Sequence, residues 1–237
     1  NLLDATAQAL APIARQHQVV ITHGNGPQVG LLALQAAAFK DVAPYPLDIL
    51  GAESEGMIGY LIEQSLASAL PGREIAALLT QVEVDPNDAA FSRPTKPIGP
   101  VYGEAEARAL AERSGWTLVP DGRGFRRAVP SPSPRRIREI NVIRLLIRAN
   151  VIVICAGGGG VPVVATATGG LRGVEAVIDK DLSASLLAEL IGADALLLLT
   201  DVPAVWTRWP KSEGEPIGPT SVEQLRRMSF APGSMGP

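Results

Sequence analysis

Residues 151–156 read VIVICA and run directly into four consecutive glycines, Gly157–Gly160. An apolar run without polar alternation has no face to give to water, so it belongs to a strand covered on both sides, as in a parallel sheet between helices. Ile75 to Thr80 (IAALLT) and Ala195 to Thr200 (ALLLLT) have the same character, with a shorter burst at Val19 to Ile21 and a further candidate strand at Val163 to Ala167. Between them the spacing predicts helices over the first 16 residues, about Gln28 to Phe39, Glu55 to Leu70 closed by Pro71 and Gly72, Arg135 to Ala149, and Asp181 to Leu190. Strands alternating with helices predict an α/β protein, a three-layer αβα sandwich with an open, mainly parallel sheet.

One stretch departs from that rhythm. Residues 83–100 contain Pro86, Pro94, Pro97 and Pro100 and read as irregular; Glu104 to Ser114 is a short helix ended by Gly115. WTLVP, the Asp121-Gly122 turn and GRGFRR then predict short antiparallel strands. Residues 83–130 are accordingly expected to form a small protruding lobe within a single domain covering 1–237, a length that suits one domain.

Charge and cysteine usage narrow the function. A formal net charge of -3, from 21 basic and 24 acidic residues, argues against a dedicated nucleic-acid binder. The basic cluster Arg123, Arg126, Arg127, Arg135, Arg136 and Arg138 is expected to be a solvated surface. A single cysteine, Cys155, cannot form an intramolecular disulfide; inside VIVICA it is expected to be buried and inert. Two histidines and one cysteine are too few to suggest a structural zinc site. Residues 149–171 carry no charge, yet their glycines and Pro162 disfavour a membrane helix, and no basic leader precedes them, so the expectation is a soluble, cytoplasmic protein without a membrane partner.

Four segments could carry chemistry. HGNGPQVG (23–30) lies between a strand and a helix, where Gly24 and Gly26 can turn N–H groups toward one point at the positive end of the helix dipole, the makings of an anion cradle or of a plain tight turn. AGGGGVP (156–162) follows the apolar strand, and four glycines suit either close passage of a bulky anion or a surface loop. Lys180 and Asp181 open a helix that Asp181 could cap through the N–H groups of Ser183 or Ala184. With only four lysines against 17 arginines, Lys96 and Lys180 look chosen for a compact ammonium. TDVPAV (200–205) places Asp201 as a cap, a metal-facing carboxylate or a turn residue. His23 reads as a hydrogen-bonding element beside the first loop, with a general base as the alternative. Glu53 and Glu55, two apart on a helix, point away from each other and do not make an acid/base pair.

These segments, together with PLDILGAESEGMIGY (46–60), TQVEVDPNDAAF (80–91), PTKPIGPVY (94–102), GRGFRRAVPSPSP (122–134), GVEAVIDKDLSASLLA (173–188), LLTDV (198–202) and FAPGSMGP (230–237), are similar to those of the carbamate kinases of the amino acid kinase superfamily, in the same order. The resemblance implies reversible transfer of a phosphoryl group between ATP and carbamate with Mg2+, giving ADP and carbamoyl phosphate. In arginine fermentation such enzymes often run in the ATP-forming direction. It implies that Gly24, Asn25 and Gly26 face the transferred group, that Lys180 holds it while Asp181 orients the lysines, and that Lys96 belongs to a lobe closing over carbamate. Gly157, Gly158, Gly159, Gly160, Asp201 and the segment from Ala231 to Met235 would line the nucleotide side. It also implies a homodimer and an eight-stranded sheet, and supplies no protein metal ligand.

Against the family pattern, the sequence starts after the usual first strand and its GGNA-type loop and stops before the lysine that follows SMGP, so it is expected to be part of a longer protein, the alternative being a truncated relative with impaired catalysis. Pro203 and Trp206 stand where the family has TDVDGVY, which should alter nucleotide affinity. The alternatives are a non-catalytic nucleotide or phosphate binder, and a dinucleotide oxidoreductase, for which the GxGxxG turn is missing.

Overall fold

In the computed structural model, which describes residues 2–38, 43–200, 202–208 and 214–230, the chain begins with α1 (Leu2–Gln16), β1 (Val20–Ile21), α2 (Gly26–Ala38) and α3 (Leu47–Ala69). It continues through β2 (Ile75–Ala77), β3 (Gln81–Val84), β4 (Lys96–Tyr102), α4 (Glu104–Ser114), β5 (Thr117–Asp121), β6 (Gly124–Val129) and β7 (Pro134–Ile137). Then follow α5 (Ile140–Arg148), β8 (Ile152–Ile154), β9 (Val161–Ala165), β10 (Leu171–Gly173), α6 (Lys180–Ile191) and α7 (Val222–Arg227). Residues up to Leu196 form one unit and Leu197–Pro237 a second. In the second, a bridge pairs Trp206 with Pro216, and a Ser221–Gln224 capping box starts α7.

The apolar runs do form a parallel sheet. β8 lies between β1 and β2, parallel to both, and Ile152, Val153 and Ile154 are at most 1% exposed. Burying each such side chain is worth about 1.5–3 kcal/mol. Ala7, Ala11 and Ala14 of α1 pack with Leu66 and Ala69 of α3 over one face of this sheet, while Ile143 of α5 and Leu187 of α6 belong to the core cluster that includes Val153 and Cys155. The sandwich is thus an α/β arrangement with helices against a parallel sheet.

The sheet is split rather than continuous. After β2 and β8 part, the same two segments pair again in parallel as β3 and β9, flanked by antiparallel β7 and β10. Among the described residues, therefore, no single eight-stranded ladder forms. Leu78–Thr80 and Cys155–Gly160 occupy the gap. Backbone bonds bracket it on both sides, Leu78 N–H to the Ile154 carbonyl at 2.9 Å and Val161 N–H to the Thr80 carbonyl at 2.8 Å.

A separate antiparallel sheet, β4-β6-β5, carries α4, whose C-terminus ends on Gly115 in the left-handed region at φ 65°. β4 was expected to be irregular because of Pro97 and Pro100. It is a strand because it sits at the edge, where the missing N–H groups need no ladder partner, and its register slips between Ile98 and Tyr102. Val29, Leu47, Leu50, Ile98 and Val129 form the core joining this sheet to α2 and α3. Gly30 of α2 and Gly99 of β4 meet backbone to backbone: a Cβ on Gly30 would lie 2.9 Å from the Gly99 nitrogen.

Two further differences have physical causes. α3 starts at Leu47, well before Glu55, because Pro46 sets the entry and the Glu175 carboxylate accepts the Leu47 N–H at 3.0 Å. Residues 195–200 are not a buried strand: Leu196, Leu197, Leu198 and Leu199 are 45%, 64%, 59% and 72% exposed. An apolar run becomes a buried strand only when strands and layers flank it, and among the described residues no strand is assigned to these positions.

Candidate active site

Every N–H from Cys155 to Val161 has a partner inside the protein. The donors run in order to the Ile21 carbonyl, Thr80 Oγ1, Glu55 Oε1, and the carbonyls of His23, Ala156, Gly157 and Thr80, at 2.7–3.1 Å. The four glycines are there because the protein itself fills the space a side chain would need. A Cβ on Gly157 would strike His23 and Glu55, on Gly158 the Asn25 side chain, on Gly159 the Ile178 carbonyl at 2.5 Å, and on Gly160 Val82. Gly157, Gly158 and Gly159 are buried. The expectation of an amide cradle for a bulky anion therefore gives way to an internal junction, and a ligand reaching this loop meets no free N–H from Gly157–Gly160.

The junction's outer wall is the His23–Gly26 loop. Asn25, 8% exposed, donates from Nδ2 to Ser54 Oγ at 2.9 Å, while Gly24 and Gly26 remain open to solvent where α2 begins. His23 Nδ1 lies 3.1 Å from the Gly24 carbonyl oxygen. Because a carbonyl only accepts, Nδ1 carries the proton, and Nε2 is left a buried acceptor with no partner. Burial lowers the His23 pKa, the Gly24 bond opposing it, so the surroundings favour the neutral ring. His23 is the hydrogen-bonding element, through both its ring and its carbonyl.

Lys180 comes to this loop. A Cβ on Gly24 would lie 3.6 Å from Lys180 Cδ and 3.8 Å from Cε. Lys180 Nζ donates to both oxygens of Asp181, at 3.0 and 3.1 Å, and both side chains are about half exposed. Lys96, on β4, donates at 2.6 Å to Asp179 Oδ2. The cap of α6 is Asp179, not Asp181: its Oδ1 accepts the N–H groups of Asp181 and Leu182 at 2.9 and 3.2 Å. A carboxylate must precede the helix to turn back on its first N–H groups, and Asp181 already lies in the first turn. Asp181 thus engages one lysine, and Asp179, absent from the sequence reading, engages the other.

Burial raises the Asp179 pKa, but the Lys96 hydrogen bond and charge and the two helix N–H groups outweigh it, so the net shift is downward. A carboxylate with a lowered folded pKa contributes stability above its unfolded value, near 4, and loses it as pH falls. Asp179→Ala should cost about 1–2 kcal/mol at neutral pH, mostly the cap, since the Lys96 pair is a third exposed and screened. Denaturant titration at pH 7 and pH 4 measures it, and the difference from wild type should shrink at the lower pH.

Glu55 is the other residue missed. From α3, at 3% exposure, its Oε1 accepts the Gly157 N–H at 2.9 Å and its Oε2 the Thr80 N–H at 3.2 Å. Burial pushes its pKa up to about 7, against the pull of those hydrogen bonds. With the folded value raised, its contribution to stability is greatest in acid and is lost as pH rises from about 4.5 through 7. The signal that could have found it is helical spacing: Glu55 falls on the core-facing stripe of α3 shared with Leu47, Leu50 and Ile58, where an apolar residue would be expected.

Asp201, Ala231 and Met235 lie outside the described residues. Among the described residues no three carboxylate, imidazole or thiol groups gather to hold a metal, and no helix is long and apolar enough to cross a membrane. The arginine cluster is largely neutralised, with Arg127, Arg135 and Arg138 facing Glu175, Asp85 and Glu83. Cys155 is 1% exposed, and burial pushes its thiol up to about 12.

Comparison with known proteins gives a consistent result. The amino acid kinase family matches residues 1–237. A carbamate kinase of Rhizobium meliloti is 54% identical over 234 residues, 98% of this chain and 72% of that protein. One from Pyrococcus horikoshii is 45% identical over 249 aligned residues, 100% of this chain and 79% of the relative. The structure of a Giardia lamblia carbamate kinase bound to AMP-PNP superposes with a TM-score of 0.84 at 39% identity, covering 98% of this chain and 77% of the other.

Proposed function

The chain belongs to the amino acid kinase family, and we propose that its reaction is that of the carbamate kinases: reversible phosphoryl transfer between ATP and carbamate, giving ADP and carbamoyl phosphate. The observation that carries this reading is the meeting of Lys180 with the open Gly24 backbone at the start of α2, with a second ammonium, Lys96, held at the cap of α6.

Carbamate already bears an anionic oxygen, so the site needs no strong base. It needs in-line placement and positive charge around the equatorial oxygens of the moving group. Gly24, Asn25 and Gly26 offer the α2 N-terminus to the phosphoryl group, and Lys180 supplies a compact charge beside it. Asp181 holds that ammonium in place. Lys96, reaching in from β4, takes the carbamate side, with Asp179 steering it. Gly157–Gly160 act on the nucleotide side by fixing the loop that bears Asn25, since their own N–H groups are engaged.

Magnesium supplies charge neutralisation on the nucleotide's phosphate oxygens when bound. The donor set suits an ion held mainly by those phosphates with one or two carboxylates, and Asp181, half exposed and paired with Lys180, is the residue that would join it. Exposed Ile49, Met57, Tyr60 and Leu61 on α3 fit a second copy of the chain, which makes a homodimer the assembly we favour. A cytoplasmic setting, in arginine breakdown, is where ADP and carbamoyl phosphate would meet such an enzyme.

Incubation with carbamoyl phosphate, ADP and magnesium, with ATP read by a coupled assay, tests the reading. ATP formation above the spontaneous background is expected. Nucleotide binding without product would overturn it in favour of a non-catalytic relative.

A further inference from the structure

The split in the parallel sheet leaves two backbone donors facing each other. Thr80 N–H comes from the segment between β2 and β3, and Gly157 N–H from the segment between β8 and β9; neither can complete a ladder there. Both are satisfied by one side chain from a third element, the carboxylate of Glu55 on α3. Thr80 extends the tie, its Oγ1 accepting the Ala156 N–H at 2.9 Å, and Ala156 is a non-glycine residue held at φ 51°. From Gly157 the connection reaches the proposed site in one more step: Gly158 N–H donates to the His23 carbonyl at 2.7 Å, and the Asn25 side chain packs on Gly158.

We infer that Glu55 is a positioning residue for phosphoryl transfer, clamping the glycine junction and through it the His23–Gly26 loop, and that the clamp is tighter when its carboxylate is ionised. The inference rests on the kinase reading of that loop. An ionised carboxylate accepts on both oxygens with full charge, and a protonated one must weaken one of the two bonds. With burial placing its pKa near 7, the change falls in the working range.

Two groups facing Glu55 are moved by burial away from 7: the His23 imidazole is lowered below its ordinary value, and Cys155 keeps its proton to about 12. Glu139 bears on Glu55 through its charge and accepts the Gln81 N–H at 2.8 Å. Tyr60 and Glu63, on the same helix, share with Glu55 and His23 the walls of a cavity of about 130 Å3.

The test compares the full chain with Glu55→Gln, which is neutral at every pH and similar in shape. In the ATP-forming assay, kcat/KM for carbamoyl phosphate should be about equal for the two proteins at pH 6. The wild type should lead by about three- to tenfold at pH 8.5, with the rise centred near 7. Ionisation of the substrates and of ADP affects both proteins and cancels in the ratio. A ratio that is flat across this range overturns the inference while leaving the kinase reading intact. A second readout needs no turnover: in 15N-glycine-labelled protein the Gly157 amide should titrate with a midpoint near 7 in the wild type and not in Glu55→Gln. If it titrates alike in both, or in neither, the clamp is refuted whether or not the chain is active. Absence of ATP formation with a titrating Gly157 would instead fault the kinase reading.

Discussion

Lys180→Ala lowers turnover by about two orders of magnitude or more, a loss of about 2.7 kcal/mol of transition-state stabilisation, in steady-state assays of ATP formation. The expectation follows from position: its stem lies against Gly24, so the ammonium is delivered to the mouth of α2, where a phosphoryl group would gather charge as it moves. Lys180→Arg should recover little. The guanidinium is planar and wider, and the Asp181 carboxylate that now meets a point charge would draw its fork into a bidentate pair away from the loop. Stability should barely change for either variant, because the Lys180–Asp181 pair is half exposed. Turnover within about threefold of wild type for Lys180→Ala would remove Lys180 from the mechanism.

Gly159→Ala should be the most damaging of small substitutions to the fold. Its φ of 94° is a conformation that an L side chain adopts only under strain, and the new Cβ would sit 2.5 Å from the Ile178 carbonyl oxygen and 2.9 Å from its carbon. The obstacle is backbone immediately before α6, so no rotamer can yield. A loss of about 3 kcal/mol or more is expected, seen as a fall of about 6–12 °C in Tm by circular dichroism. Gly26→Ala is the matched contrast: nothing lies within 4 Å of its Cβ and its φ is ordinary, so its Tm should move by less than about 2 °C. Equal Tm values for the two variants would contradict the view that the glycine run is an internal junction.

What the sequence made legible was whatever depends on local pattern. VIVICA had to be a doubly covered strand, and β8 is; Gly115 had to end α4, and it does so in the left-handed region. The pairing of Lys180 with the first glycine loop was also foreseen, through resemblance more than through spacing. What stayed hidden depends on which segments become neighbours. Asp179 caps α6 and holds Lys96 from 83 positions away, and nothing local separates it from Asp181 two residues later. Glu55 falls on the core-facing stripe of α3, but what it is for shows only when Thr80 and Gly157, distant in sequence, are seen to need an acceptor. Four glycines announce close approach but not what approaches, and here it is the chain's own Asn25, His23, Ile178 and Val82. The prolines of β4 argued against a strand because position at a sheet edge is a property of the assembled fold.

The backbone contact between Gly30 and Gly99 acts as a pivot for the lysine three residues up the strand. Lys96 rides on a lever of about 10 Å, three residues of extended chain, anchored where α2 and β4 touch without an intervening side chain. A methyl group inserted at that pivot would displace the lever's base by about an ångström, the scale of misplacement at which transfer reactions lose about two orders of magnitude in rate. On the proposed reading, in which Lys96 takes the carbamate side, the methyl that residue 30 lacks bears on how far that lysine stands from the α2 loop.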